Sequence, residues 1–239
     1  MLSGKKANLF KIIEIKNQKY LKTMAEIDWH IETLCKNYPL IASVRNSVKE
    51  TAEIIINCFT NGNKLLVCGN GGSSADSDHF AAELMKSFEL QRPLESSVKK
   101  RLSAISNERG TILGEKLNHS LPVISMTSNN ALITAISNDM DPAMIFAQQI
   151  IGYGNEGDVL IAISTSGNSA NMVDACITAK AINLPIIGIT GKTGGKMKQY
   201  CTVLINVPER NTALIQELQL PVLHTLCRIV EDHFYGDKI

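Results

Sequence analysis

Three short blocks of this sequence contain residues that could bind a phosphate, move a proton or hold a metal. The first is GNGGSSADSDHFAAEL (69–84), which combines glycines, hydroxyls, a histidine and carboxylates. The second is STSGNSAN (164–171), and the third is IQELQLPVLHTLC (215–227). Histidine and carboxylate side chains are the usual groups for general acid–base catalysis and are also common zinc ligands.

The first two blocks predict turns that let backbone N–H groups approach an anion. Small side chains permit that approach, and the N-terminus of a following helix adds a favourable dipole. A dinucleotide fingerprint would need glycine at position 74, which is Ser74, and a Walker loop would need a lysine that is missing. One such turn often serves only as a tight bend, but two favour a hydroxyl-rich cradle for a sugar phosphate.

Histidine, carboxylate and amide side chains form two further candidate groups. His79 and Glu83 are four residues apart and share one face of a predicted helix, although such a pair is often only a solvent-facing ion pair. Gln216 and His224 lie about two turns apart on a C-terminal helix. A buried histidine bonded to a backbone carbonyl is the alternative interpretation for His224.

The elements that must position these residues follow from hydrophobic periodicity. Continuous β-branched runs are typical of strands covered on both faces of a parallel sheet, and they alternate with helical patterns. The predicted fold class is therefore α/β, an open parallel five-stranded sheet flanked by helices. The strands are predicted at 65–69, 122–126, 159–164, 185–190 and 202–207, and the helices at 74–90, 144–151, 169–182 and 212–234.

The segment before the first strand predicts two or three amphipathic helices between Ala7 and Phe59. We expect residues 1–60 to form helices that take part in oligomerisation, and residues 61–239 to form the sheet domain. A segment at about 93–121 is too long for a simple connection, and it is charged and partly helical in pattern. Its cluster Lys99, Lys100 and Arg101 is interpreted as a solvated helix face rather than a phosphate site.

The net charge, the apolar runs and the cysteines indicate which partners and which compartment to expect. The 239 residues carry a net charge of +1, so nothing favours nucleic acid or a membrane surface as a partner. No run approaches the ~20 apolar residues of a membrane span. The six cysteines form no C-x-x-C pair, which favours buried thiols in a reducing compartment, and we expect a cytoplasmic protein.

The motifs resemble those of the sugar isomerase (SIS) family, and specifically its phosphoheptose isomerases. The resemblance runs from about Asn63 to Glu231 and is interrupted by the segment 93–121. Two positions depart from the family's common pattern, which often has a histidine at Gln219 and an acidic residue at Asn129. The stretches that carry the resemblance are CGNGGSSADSDHFAAEL, TAISND, GDVLIAISTSGNSANM, GITGKTGGKM and IQELQLPVLHTLC.

The resemblance implies an enzyme that interconverts sedoheptulose 7-phosphate and D-glycero-D-manno-heptose 7-phosphate for heptose-containing cell-surface glycans. It also implies a homotetramer whose sites are built from neighbouring subunits, and Glu83 with His224 as the acid–base pair. One zinc ion per subunit is expected at His79, Glu83, Gln216 and His224. Substrate and phosphate contacts are expected at Asn70, Gly71, Ser73, Asn129, Ser164, Thr165, Ser166, Ser169 and Gln216.

The implied reaction moves a proton between adjacent carbons through an enediol. One group must remove the carbon-bound proton, another must protonate the neighbouring oxygen, and a cation can stabilise the developing oxyanion. Two other interpretations stay open. The chain could be a non-catalytic SIS module that binds a sugar phosphate or a replication initiator, or an isomerase of a hexose or pentose phosphate.

Overall fold

The computed structural model describes residues 23–236. The part of the N-terminal helical prediction that falls on residues 7–22 lies outside the described residues. Within 23–236, no helix is long and apolar enough to cross a membrane.

A five-stranded parallel sheet forms the centre of the molecule. Its strands are β1 (Leu65–Gly69), β2 (Val123–Ser125), β3 (Val159–Ser164), β4 (Ile186–Thr190) and β5 (Val203–Asn206), and their order is β2-β1-β3-β4-β5. Every residue of β1, β3 and β4 is buried, as the continuous apolar runs predicted, because helices cover both faces. All five predicted strands are confirmed within one residue at each end.

Helices cover the two faces of the sheet unequally. The helices of the described part are α1 (23–37), α2 (Arg45–Thr60), α3 (Gly72–Met85), α4 (Ser96–Ile105), α5 (Asn107–Lys116), α6 (Asn130–Asp139), α7 (Ile145–Tyr153), α8 (Ala170–Ala181) and α9 (Thr212–Tyr235). Helices α1, α2, α3 and α9 pack on one face, whereas α7 and α8 pack on the other.

One predicted helix differs from the structure, and one helix of the structure was not predicted. The prediction of a helix over 74–90 is wrong at its C-terminal end, because α3 stops at Met85. Helix α6 was not predicted; Asn129 caps it by accepting a hydrogen bond from the Leu132 N–H at 3.1 Å.

The apolar stripes of the N-terminal helices are covered within the chain. Ile27 and Ile31 of α1 are 1% exposed, and Val48 and Ile55 of α2 are fully buried. These stripes therefore give no argument for oligomerisation. Large apolar side chains nevertheless remain exposed nearby, at Trp29, Tyr38 and Leu40.

The segment 93–121 forms a hairpin of two helices, α4 and α5. No residue of α4 is buried, so the cluster Lys99–Arg101 lies on an open helix. Gly110 lets the helices approach closely, because a Cβ there would lie 1.8 Å from the carbonyl oxygen of Leu102. An antiparallel bridge between Pro93 and Asn118 closes the base of the hairpin.

Candidate active site

The two glycine-rich turns meet where the strand order reverses. β2 lies on one side of β1 and β3 on the other, so the carboxyl ends of β1 and β3 form the switch point where open α/β sheets bind ligands. Asn70 follows β1 and Asn171 lies at the start of α8, after β3. Their side-chain amides exchange two hydrogen bonds, of 2.8 and 2.9 Å. The two turns therefore line one edge of the sheet.

The first turn needs glycine for its conformation. Gly71 has φ +57° and ψ −120°, which L side chains rarely adopt, and nothing lies within 4 Å of the position of a Cβ. Asn70 and Gly71 are exposed at the edge. Ser73 is only 3% exposed and lies beneath the turn, where its carbonyl oxygen accepts a hydrogen bond from the Ser77 hydroxyl.

The second turn is built from hydroxyls and backbone N–H groups. The Gly167 N–H approaches the Ser164 hydroxyl at 3.2 Å, and the Ser166 hydroxyl accepts from the Asn168 N–H at 3.1 Å. Ser169 begins α8 without a side-chain cap. The hydroxyls and the N-terminus of α8 together make an anion-binding edge.

That second turn is packed against the loop after β4. The carbonyl oxygen of Thr165 accepts from the Gly191 N–H at 2.9 Å. Gly167 has φ +64°, and a Cβ there would lie 2.2 Å from the carbonyl oxygen of Gly194. The cradle is therefore held by backbone contacts and leaves no room for a larger residue at position 167.

The histidines of α3 and α9 meet directly. The Nε2 atoms of His79 and His224 are 2.8 Å apart, a hydrogen-bond distance that requires one to carry the proton. Nδ1 of His79 lies 3.8 Å from Oε1 of Glu83, and Oε2 of Glu83 accepts from the Lys86 ammonium. The side chain of Glu83 is only 12% exposed. His79 is 42% exposed but contacts α9 through His224, so the pair is not only a solvent-facing ion pair.

The surroundings of His224 favour its neutral imidazole. Burial lowers its pKa from the ordinary value, and the neighbouring His79 and Arg228 lower it further, while Glu83 and Glu89 offset part of the effect. The imidazole is therefore largely neutral at neutral pH. A histidine bonded only to a backbone carbonyl, the alternative raised by the sequence, does not describe this contact.

Three amide residues of the prediction have separate surroundings. The side chain of Gln216 lies over the start of α3, where a Cβ on Gly72 would be 2.3 Å from its Nε2. Asn129 is exposed, and its side-chain oxygen is used in capping α6. Gln219 is fully buried, and neither polar atom of its amide has a hydrogen-bond partner in the structure.

Two carboxylates of α3 were missed by the sequence analysis. Burial raises the pKa of Asp76, partly offset by His79, and Oδ2 of Asp76 is buried without a hydrogen-bond partner in the structure. Asp78 accepts from the hydroxyls of Ser125, Thr127 and Ser128, at 2.5–2.7 Å. The spacing of Asp76 three residues before His79 was the available signal. Asp78 gave none, because its partners lie about 50 residues away.

The four predicted zinc ligands have side chains that can bind zinc, but only some of them lie close enough together to do so. Within residues 23–236, no group of three His, Cys, Asp or Glu side chains is close enough to hold an ion. Two ligands of a tetrahedral zinc, at bonds of about 2.0–2.1 Å, lie about 3.3–3.4 Å apart, slightly farther than the Nε2 atoms of His79 and His224. Those two nitrogens converge, whereas Glu83 and Gln216 would have to turn toward them.

Comparison with known families finds relatives of this chain. The family model for the SIS domain matches residues 39–123 and 110–191. A phosphoheptose isomerase of Clostridium acetobutylicum is 38% identical over 192 residues, which are 80% of this chain and 85% of the relative. One of Aliarcobacter butzleri is 36% identical over 203 residues, which are 85% of this chain and 92% of the relative.

Solved structures give the same result over nearly the whole chain. The phosphoheptose isomerase of Neisseria gonorrhoeae superimposes with a TM-score of 0.64 at 28% identity, covering 92% of this chain and 99% of that one. The enzyme of Francisella tularensis gives a TM-score of 0.64 at 29% identity, covering 95% and 97%. Both the sheet and the helices that flank it are thus shared with known structures.

Proposed function

We propose that this chain, which belongs to the SIS domain family and within it to the phosphoheptose isomerases, interconverts sedoheptulose 7-phosphate and D-glycero-D-manno-heptose 7-phosphate. The observation that carries the proposal is the contact of His79 with both His224 and Glu83, on the helix that follows the first glycine-rich turn. The switch point presents a hydroxyl-rich turn at the N-terminus of α8. The anion site thus lies at the carboxyl edge of the sheet, and the acid–base pair lies on α9 and on α3, the helix that leaves the first turn.

The phosphate would bind at the second turn. The hydroxyls of Ser164, Thr165, Ser166 and Ser169 can donate to phosphate oxygens, and the dipole of α8 favours the negative charge. Asn70, Gly71, Ser73 and Gln216 would position the sugar chain from the first turn, and Asn129 from the start of α6.

The proton transfers would use Glu83 and His224. One oxygen of Glu83 is paired with Lys86, which leaves the other to accept the carbon-bound proton. His224 would exchange the proton of the neighbouring oxygen, and its lowered pKa keeps the imidazole available for that exchange. Reversal of the roles on the adjacent carbon completes the isomerisation.

One zinc ion per subunit is part of the proposal, held by His79, Glu83, Gln216 and His224. When bound, it would stabilise negative charge on the substrate oxygen. The donor types and the convergence of the two imidazoles support it. Metal analysis of the purified protein should find about one zinc per chain, and full turnover by metal-free protein would contradict a catalytic zinc.

A cytoplasmic homotetramer is also proposed. The exposed Trp29, Tyr38 and Leu40 offer apolar surface for association, and all six cysteines are free thiols, as expected in a reducing compartment. Light scattering at micromolar concentration should give the mass of four chains. A monomer would contradict the assembly.

Turnover of candidate sugar phosphates tests the function directly. Sedoheptulose 7-phosphate should be converted faster than hexose and pentose phosphates, and each should be measured with and without a chelator. Faster conversion of a hexose or pentose phosphate would show that the shorter sugar phosphate, and not the heptose phosphate, is the substrate. Binding of sugar phosphates with no turnover of any would favour the non-catalytic SIS module instead.

A further inference from the structure

A fully buried ion pair lies behind the proposed acid–base residues, and the reaction described above does not use it. Nε of Arg92 is 2.6 Å from Oε1 of Glu231, and the two side chains are 0% and 1% exposed. Taking two charges out of water is costly, so such a pair persists only when further hydrogen bonds satisfy its remaining atoms. The partners of those atoms show what the pair holds in place.

The arginine end holds the last turn of α3. Nη1 of Arg92 donates to the carbonyl oxygen of Leu84 at 2.7 Å, and Nη2 donates to that of Glu83 at 3.3 Å. The last carbonyls of a helix have no partner within the helix, and a cation there interacts favourably with the helix dipole. Arg92 therefore fixes the backbone of the residue that supplies the proposed base.

The glutamate end holds the turn that follows α3. Glu231 accepts hydrogen bonds from the N–H groups of Phe88, Glu89 and Leu90, at 2.9, 2.7 and 2.9 Å. Burial alone would raise the pKa of Glu231, but these three donors and Arg92 bring it below its ordinary value. The carboxylate is thus ionised and anchors three consecutive residues.

The anchored turn places an aromatic ring against the proposed acid. The Phe88 ring centroid is 5.5 Å from that of His224, and the Arg228 guanidinium lies 5.6 Å from the Phe88 ring. Arg228 is itself paired with Glu89 at 2.7 Å. Movement of the turn would therefore move the Phe88 ring, which packs against the His224 ring.

We propose that Arg92 and Glu231 are positioning residues that hold Glu83 and His224 in reach of one substrate. Arg92 acts through the backbone of Glu83, and Glu231 acts through the turn that carries Phe88. The expected effect on turnover rests on the proposed isomerase function. The effect on the His224 ring does not, and it can be measured without substrate.

A second ion pair, before β1 and β3, provides a control. Nζ of Lys64 lies 2.5 Å from Oδ2 of the buried Asp158, which also accepts from the backbone N–H groups of Lys64 and Asn155. Lys64 and Asp158 directly precede β1 and β3. The Asp158 side chain is 2% exposed and that of Lys64 is 21% exposed. The pair also anchors backbone N–H groups, but the bonds of these two side chains do not go to α3, to α9 or to the turn after α3.

The test compares Arg92→Lys, Phe88→Leu and the control Asp158→Asn. Lysine keeps the charge but cannot reproduce the planar fork that reaches the carboxylate and both carbonyls. Each variant is measured for melting temperature, for kcat and KM with sedoheptulose 7-phosphate, and for the ring resonance of His224 in histidine-labelled protein. The resonance is assigned by its loss in His224→Gln.

We expect Arg92→Lys and Phe88→Leu to lower kcat by about tenfold to a hundredfold with little change in KM, as a small misplacement of reacting groups does. Arg92→Lys should also shift the His224 resonance. Asp158→Asn should lower the melting temperature while kcat per folded molecule and the resonance stay unchanged.

The inference is overturned if Arg92→Lys leaves kcat per folded molecule and the His224 resonance unchanged, as in the control. If Arg92→Lys does not fold, kcat of Phe88→Leu decides, and an unchanged value overturns the inference. A shifted resonance in a protein whose wild type converts no heptose phosphate would refute the isomerase function and leave the positioning role standing.

Discussion

The two glycine-rich turns have similar sequences and settings, but only one leads to acid–base residues. Each follows a fully buried strand and begins a helix at the same edge of the sheet. Helix α3, after the first turn, directs His79 and Glu83 toward α9. Helix α8, after the second turn, buries only small and apolar residues against the sheet, namely Met172, Ala175, Cys176 and Ala179.

The difference lies in the neighbouring helix rather than in the turns. α3 packs beside α9, which contributes His224 and Gln216, whereas α8 lies on the opposite face with α7. A turn of this kind provides an anion site by its backbone alone. It becomes part of a catalytic centre only when the helix behind it faces a second functional helix.

Removal of the proposed base, Glu83, should have the largest effect and tests whether α3 carries the catalytic residues. Glu83→Gln keeps the shape of the side chain but cannot accept a proton, so kcat should fall by about 10²–10⁴-fold, the usual contribution of general acid–base catalysis. His224→Gln should behave similarly, and the double variant should cost less than the sum because both act on one step. Steady-state kinetics on folded protein checks this. Normal turnover by well-folded Glu83→Gln would refute the mechanism.

Substitutions in the cradle should instead weaken binding. A hydrogen bond to a charged group is worth about 1.5–3 kcal/mol, so Ser166→Ala or Ser169→Ala should raise KM by about tenfold or more with a smaller change in kcat. Inhibition by inorganic phosphate should weaken in parallel. If either variant lowered kcat at constant KM, the second turn would take part in the proton transfers, and the proposed difference between the two turns would be wrong.

Alanine substitutions at Gly71 and Gly167 should destabilise the protein by different amounts. Both positions have positive φ, and such strain costs about 1–3 kcal/mol. Gly167→Ala should lower the melting temperature more than Gly71→Ala, because a Cβ at 167 meets the Gly194 carbonyl whereas a Cβ at 71 meets open space. Thermal unfolding of both variants measures this, and equal losses would show that the contact with Gly194 adjusts at no cost.

The smallest expected effect is a dependence of stability on pH. The pKa of His224 is lower in the folded protein than its ordinary 6.5, so the fold disfavours the protonated ring. Its contribution to the free energy of unfolding is therefore full above about pH 6.5 and is lost as the pH falls through the folded pKa. Urea unfolding between pH 5 and 8 should show a shallow decline on the acid side that His224→Gln reduces. An unchanged slope would show that His224 does not cause it.

Local sequence patterns were enough for the sheet and for most helices. Continuous apolar runs mark buried strands, and the 3.6-residue period marks helices, because each signal depends only on which neighbours along the chain are apolar. The end of α3 was misplaced because residues 86–90 are compatible with a helix. In the folded chain, however, the N–H groups of residues 88–90 bond to Glu231 instead of to helix carbonyls.

The sequence by itself determined the residue types of the site, the two turns and the helices that carry Glu83 and His224. Only the tertiary structure decided that His79 and His224 meet, since they are 145 positions apart and no local pattern links them. The same holds for Arg92 and Glu231, 139 positions apart, whose charges become a buried pair only when α9 packs beside α3. The sequence specifies which side chains are present, but which of them come into contact depends on which helices the sheet order brings together.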